Sequence, residues 1–160
     1  MDPYQQQLAD RLADADPIAV LGATPTRLLA LAETLDPEAW AARPRPDAWS
    51  AGEVVAHLAD VELGMGFRLR QAVGGVPEAQ GFDQDAWARR YARLDPALAV
   101  EAFRALRAWN LALFATFDLD DWLATVEHPE RGPESVDEIV RALAGHDLRH
   151  LDGLDALLTG

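Results

Sequence analysis

Ser50 with Glu53, and Ser135 with Glu138, each place a serine three residues ahead of a glutamate, at the start of a stretch whose apolar residues recur every three or four positions. That spacing is a capping-box signature. The hydroxyl accepts from the backbone N–H three residues on while the carboxylate reaches back, so two donors that a helix leaves open at its start are satisfied. Trp49 and Val54 stand where a hydrophobic staple would sit. The stretch opened by Ser50 carries Val54, Leu58, Val61, Met65 and Leu69 on one stripe and is stopped by Gly74-Gly75-Val76-Pro77. The stretch opened by Ser135 carries Val136, Ile139, Leu143, His146, His150 and Leu157. Two long helices, each apolar on one face, require further elements to bury those faces.

The remaining segments supply them. Asp95-Pro96 reads as a cap followed by proline in the first turn, and Ala99, Phe103, Leu106, Trp109 or Asn110, Leu113 and Phe117 continue a stripe up to the acidic cluster 118–121, with a short turn of helix around Trp122. A first main helix runs from Ile18 to Leu35, interrupted near Thr24-Pro25, where threonine can cap and proline can restart a helix. The prolines of residues 41–47 mark a connection, residues 76–94 read as a loop with a short helical piece at 83–91, and residues 127–134 break all periodicity. With no convincing strand, the predicted fold class is all-α: a four-helix bundle over residues 17–160 with short additional helices. Residues 1–16 are expected to form a polar N-terminal arm or short helix without chemistry of its own.

Composition removes several functions. The 27 acidic side chains outnumber 14 basic ones, and the net charge of -13 disfavours binding to nucleic acid. All the basic residues are arginine, so Schiff-base and phosphate-loop lysine chemistry have no residue to use. Cysteine is absent, which excludes disulfides, thiolate metal sites and a cysteine nucleophile; any thiol chemistry needs an external thiol. Neither a signal peptide nor an apolar run long enough for a membrane span is present, so a cytoplasmic location away from the membrane is expected.

The four histidines carry the strongest chemical signal. His146 and His150 are four residues apart, close to one helical turn, so both rings can address one atom from a core stripe. Buried neutral imidazoles need partners, and a divalent ion satisfies several at once; an exposed polar pair is the competing reading. His57 lies beside the stripe of the second long helix and is the natural third ligand. His128, in a proline-rich acidic loop, reads as a surface or loop-stabilising residue. His146-Asp147-Leu148-Arg149-His150 is close to the zinc-protease pattern, but the base would be Asp147 instead of glutamate, and no His or Glu follows as third ligand. That activity is rejected.

Three segments in order resemble the DinB/YfiT-like family: Trp49-Ser50 leading into Glu53-Val54-Val55-Ala56-His57-Leu58-Ala59-Asp60, then Phe82-Asp83-Gln84-Asp85-Ala86-Trp87, then Gly145-His146-Asp147-Leu148-Arg149-His150-Leu151. The resemblance implies a bundle in up-down-down-up order and a divalent metal ion, zinc or nickel, on His57, His146 and His150. It also implies a homodimer and a small-molecule substrate.

Relatives in that family resemble transferases or isomerases dependent on bacillithiol, mycothiol or glutathione, and others resemble metal-dependent hydrolases. The first expectation is therefore a metal-dependent transferase with an external thiol cosubstrate. A metal-dependent hydrolase, or a non-enzymatic, stress-linked metal- or ligand-binding protein, are the alternatives. Asp60 or Asp147 would orient an imidazole; a solvated helix charge is the stronger reading of Asp147. Trp49, Phe67, Phe82, Trp87 and Trp109 are candidates to line a pocket or simply to fill the core.

Overall fold

The computed structural model describes residues 2–159. Helices occupy α1 (Pro3–Leu12), α2 (Pro17–Thr34), α3 (Pro37–Ala41), α4 (Ala51–Val73), α5 (Gln84–Ala88), α6 (Pro96–Phe114), α7 (Leu119–Leu123) and α8 (Val136–Thr159), with a 3₁₀ turn at Tyr91–Arg93. Strands β1 (Thr125–His128) and β2 (Gly132–Ser135) lie between α7 and α8. Starts are written locally: α1, α2, α3 and α6 each begin with an Asp-Pro pair whose carboxylate accepts from an N–H of the first turn. Both expected capping boxes form, Ser50 with Glu53 and Ser135 with Glu138.

The four long helices α2, α4, α6 and α8 make the bundle, and their neighbours fix its topology. α2 and α4 each pack against both α6 and α8. Gly52 meets Pro96 and Gly66 meets Asn110, so α4 and α6 run parallel. Leu21 meets Arg107 near the start of α2, and Arg27 pairs with Asp155, so α2 runs with α8. His57 meets His146 while Arg68 approaches Glu134, just ahead of α8, which makes α4 antiparallel to α8. The order is up-down-down-up, as the resemblance implied.

Three local expectations are corrected. α2 is not interrupted at Pro25: Thr24 donates to the Val20 carbonyl instead of capping. Proline has no N–H for the carbonyl four residues back, that of Leu21, and this freed acceptor takes a hydrogen bond from Arg107 at 2.8 Å. Residues 125–135 contain a two-stranded antiparallel hairpin where no strand was expected, with Val126 and His128 on its buried face and Gly132 at φ 82° after the turn. Four residues alternate too briefly, and Pro133 argues against a strand, so periodicity could not show it. The N-terminal segment does more than form a polar arm. Leu8 and Leu12 are buried and α1 packs along α8, where Gly145 leaves so little room that an added Cβ would lie 2.3 Å from the Leu8 carbonyl oxygen. No helix among the described residues is long and apolar enough to cross a membrane.

Candidate metal centre and its cavity

α4 supplies His57 and α8 supplies His146 and His150, one turn apart, so two antiparallel helices bring three rings together midway along the bundle. The Nε2 atoms of His57 and His146 stand 3.0 Å apart, and one ligand nitrogen from each of the three rings lies within 4.8 Å of the others. His57 and His146 are buried and His150 is half-buried. Trp49 leans on the His57 ring at 4.9 Å, shielding it from solvent.

The electrostatics keep these rings neutral. Burial, followed by His150 and Arg149, lowers the His57 pKa to about 3; burial and Arg149 lower that of His150 to about 4. His146 is held well below its ordinary value, again chiefly by burial. The Nδ1 atoms of His57 and His146 are buried without a hydrogen-bond partner. Three neutral imidazoles in a dry volume thus present lone pairs with few donors to receive them, an arrangement that suits a cation.

The spacing suits one too. With metal–nitrogen bonds of about 2.0–2.1 Å, two ligand atoms sit roughly 2.9 to 3.4 Å apart for angles between a right angle and a tetrahedral one. The 3.0 Å pair falls in that range.

Below the centre lies a polar cluster that sequence reasoning missed. Arg107 donates to Glu62 at 2.8 Å, to Asp147 at 2.7 Å and to the Leu21 carbonyl, and Asn110 donates to Glu62 at 2.8 Å. Glu62, Arg107 and Asp147 are fully buried. Asp147 is therefore not a solvated helix charge, and its carboxylate bonds Arg107 instead of an imidazole. Burial opposes the Arg107 charge, but Asp147 and Glu62 outweigh it and raise its pKa above the ordinary guanidinium value. Asp60 likewise makes no hydrogen bond to a ring of the cluster; it faces Tyr91, whose hydroxyl pKa rises through burial and through Asp60.

A cavity of about 270 Å³ borders His146. Its wall includes Arg68 from α4, Phe82 from the loop ahead of α5, His128 from β1, and Leu8 from α1. His128 is buried, not a surface residue, and its Nδ1 accepts the Glu130 N–H at 3.1 Å, which does stabilise the hairpin turn. Burial, then Arg131 and Arg68, lower its pKa. In the neutral ring the proton therefore resides on Nε2. His150 borders a shallower surface hollow with Pro44, Asp47 and Trp49. Of the aromatic candidates, Phe82 lines the cavity with Trp87 stacked on it at 4.7 Å, and Trp49 covers His57. Phe67 and Trp109 are exposed and line neither space.

Comparison with known proteins places the fold in a known family. A candidate metal-dependent hydrolase of Oceanobacillus iheyensis is 27% identical over 115 residues, covering 71% of this chain and 67% of that protein. The structure of YfiT from Bacillus subtilis, described as a probable metal-dependent hydrolase with an unusual four-helix bundle topology, matches 88% of this chain and 83% of its own with a TM-score of 0.82 at 21% identity. A mycothiol-dependent maleylpyruvate isomerase shares the fold more distantly, with a TM-score of 0.66 and 12% identity over 82% of this chain and 57% of its own. The family model of the DinB superfamily matches residues 21–152, so the chain belongs to the DinB superfamily.

Proposed function

We propose that this chain is a metal-dependent hydrolase of a small organic substrate, with the ion on His57, His146 and His150 and the substrate in the cavity beside His146. The observation that carries this reading is the convergence of three neutral, buried or half-buried imidazoles, one of which, His146, lines a partly open cavity. A bound divalent ion there supplies Lewis acidity, polarising a substrate carbonyl and lowering the pKa of a nucleophile. Nitrogen ligands suit zinc and nickel alike, and metal analysis of the native protein distinguishes them.

The protein's own residues do the rest. Trp49 covers the His57 ring of the centre, and Leu8 adds apolar wall to the cavity beside His146. His128, with its Nδ1 occupied by the Glu130 N–H, presents its Nε2–H to the cavity as a hydrogen-bond donor for charge developing on a substrate oxygen; the acyl bond breaks as water oxygen joins the acyl carbon, and a proton of that water departs with the leaving group. The relatives named as metal-dependent hydrolases support the same reading.

The thiol-dependent transferase stands second. The fold shared with a mycothiol-dependent isomerase favours it, and the absence of cysteine is compatible with it. Against it, a cavity of about 270 Å³ is below the range of about 300–1,000 Å³ typical for a single drug-sized ligand, and a thiol cosubstrate would have to share it with an electrophile. The test is a panel of esters and amides offered to zinc- or nickel-loaded protein with and without added thiol. Turnover without thiol is expected; turnover that appears only with thiol would replace hydrolysis by transfer.

A further inference from the structure

Arg68 is buried to within 4% of its surface, yet its guanidinium has no oxygen acceptor within hydrogen-bond distance among the described residues. One terminal nitrogen lies 3.6 Å from the Met65 sulfur, a weak acceptor, and 3.9 Å from the Glu134 carboxylate, beyond a hydrogen bond. Nε is buried without any partner. Arg107, whose Nε is likewise unpartnered, differs in that its terminal nitrogens donate to two carboxylates and a carbonyl. Arg131, the other cation on the cavity wall, already has its fork filled by both Glu134 oxygens at 2.6 and 3.0 Å.

A guanidinium cannot shed its charge, and leaving its donors unmade in a dry site is costly. Its fork matches a planar carboxylate through two parallel bonds. The apolar part of the cavity wall includes Val61, Met65, Phe82 and Leu143, with His146 and polar residues such as Gln5 and Gln84 on the same lining.

We infer that Arg68 is the anchor for a small organic carboxylate whose short apolar body lies along Val61, Met65, Phe82 and Leu143, so that its far end is presented to the His146 side of the cavity. One unfilled guanidinium balances one negative charge. Glu134 near Arg68 and Glu130 on the wall oppose a second, so a monoanionic carboxylate fits better than a phosphate dianion. The cavity of about 270 Å³, partly open to solvent, suits a body of a short chain or one ring. This deepens the hydrolase reading and rests on it for the direction of the reacting end, but not for the anchor itself.

The test is binding by the full-length chain, as purified and again after chelation, of benzoate, benzamide, hexanoate, hexanamide and inorganic phosphate, followed by titration calorimetry and by chemical-shift changes. The carboxylates are expected to bind at least about tenfold more tightly than the matching amides in both preparations, and phosphate more weakly than either carboxylate. Arg68→Gln is expected to erase the carboxylate preference and Arg68→Lys to restore part of it. Amides binding as well as carboxylates to the wild-type chain overturn the anchor without reference to any variant's folding, as does unchanged carboxylate preference in a folded Arg68→Gln. Phosphate binding more tightly than the carboxylates overturns the assigned class. Metal uptake measured on the same samples separates this outcome from failure of the metal centre: loss of the anchor leaves uptake intact, and absence of uptake leaves carboxylate binding to the chelated chain intact.

Discussion

Arg107 donates a hydrogen bond of 2.7 Å to the carboxylate of Asp147, which follows the ligand candidate His146 directly in α8, and neither side chain reaches solvent. The same guanidinium holds Glu62 of α4 and the Leu21 carbonyl of α2. One side chain thus ties the three other bundle helices together at the level of the metal centre.

Removing that tie leaves two buried carboxylates without their counter-charge. Arg107→Leu is expected to destabilise the fold by about 3–5 kcal/mol, as measured by urea denaturation. Glu101→Gln, which breaks only the exposed pair with Arg104, is expected to change stability by at most about 1 kcal/mol. Equal effects at the two sites would show that the buried cluster carries no special weight.

Gly145 precedes His146 and sits against the backbone of α1. Gly145→Ala puts a methyl where the Leu8 carbonyl oxygen already lies, and that backbone cannot rotate aside as a side chain can. A loss of roughly 1–3 kcal/mol is expected, together with faster proteolysis within residues 3–12. Gly22→Ala meets nothing within 4 Å in α2 and is expected to be neutral or to stabilise by up to about 1 kcal/mol. If Gly145→Ala behaves like Gly22→Ala, α1 is not seated on α8.

Acid should loosen the chelated protein earlier than its carboxylates alone would. In the unfolded chain the imidazoles take up protons near 6.5, whereas folded His57 and His150 resist until about 3 and about 4. Between those limits the unfolded chain binds more protons. Stability is therefore full above the unfolded value, and falls as pH drops through 6.5 towards the folded ones. A variant with His57, His146 and His150 all replaced by asparagine is expected to give a flatter profile between pH 7 and pH 5, as read from urea midpoints. Identical slopes would contradict burial of neutral rings.

His128 is expected to act in turnover and not in metal holding. His128→Asn is expected to lower kcat by roughly 10²–10³ while KM and metal content hold. A change in metal content with kcat preserved would make His128 a ligand or a purely structural residue instead.

The bundle was legible because its information is local: capping boxes at Ser50 and Ser135, a cap and proline at Asp95-Pro96, and apolar stripes between glycine and proline breaks. His146 and His150 were legible for the same reason, since i and i+4 on one helix share a face, and His57 by its place beside the stripe of α4. The buried cluster depends on partners far apart in sequence, and charge alone suggested solvent. Its trace was nonetheless present. Glu62 follows Leu58 by four, Arg107 follows Phe103 by four, and Asp147 follows Leu143 by four, so charges of opposite sign stood at core positions of three helices. Arg68, seven residues after Val61 and three after Met65, also stood on a core stripe. His128 left no such trace, because its burial is created by tertiary closure of the hairpin around the cavity.

Direct titration of the chelated chain with zinc and with nickel, followed by native mass spectrometry, examines the three-ring centre most closely. Wild-type protein is expected to take up one ion per chain, and His57→Ala, His146→Ala and His150→Ala each to lose that uptake at micromolar ion while keeping the helical spectrum. Folded single variants that retain the ion, or a wild-type chain that takes up neither metal, would contradict a metal centre built on His57, His146 and His150.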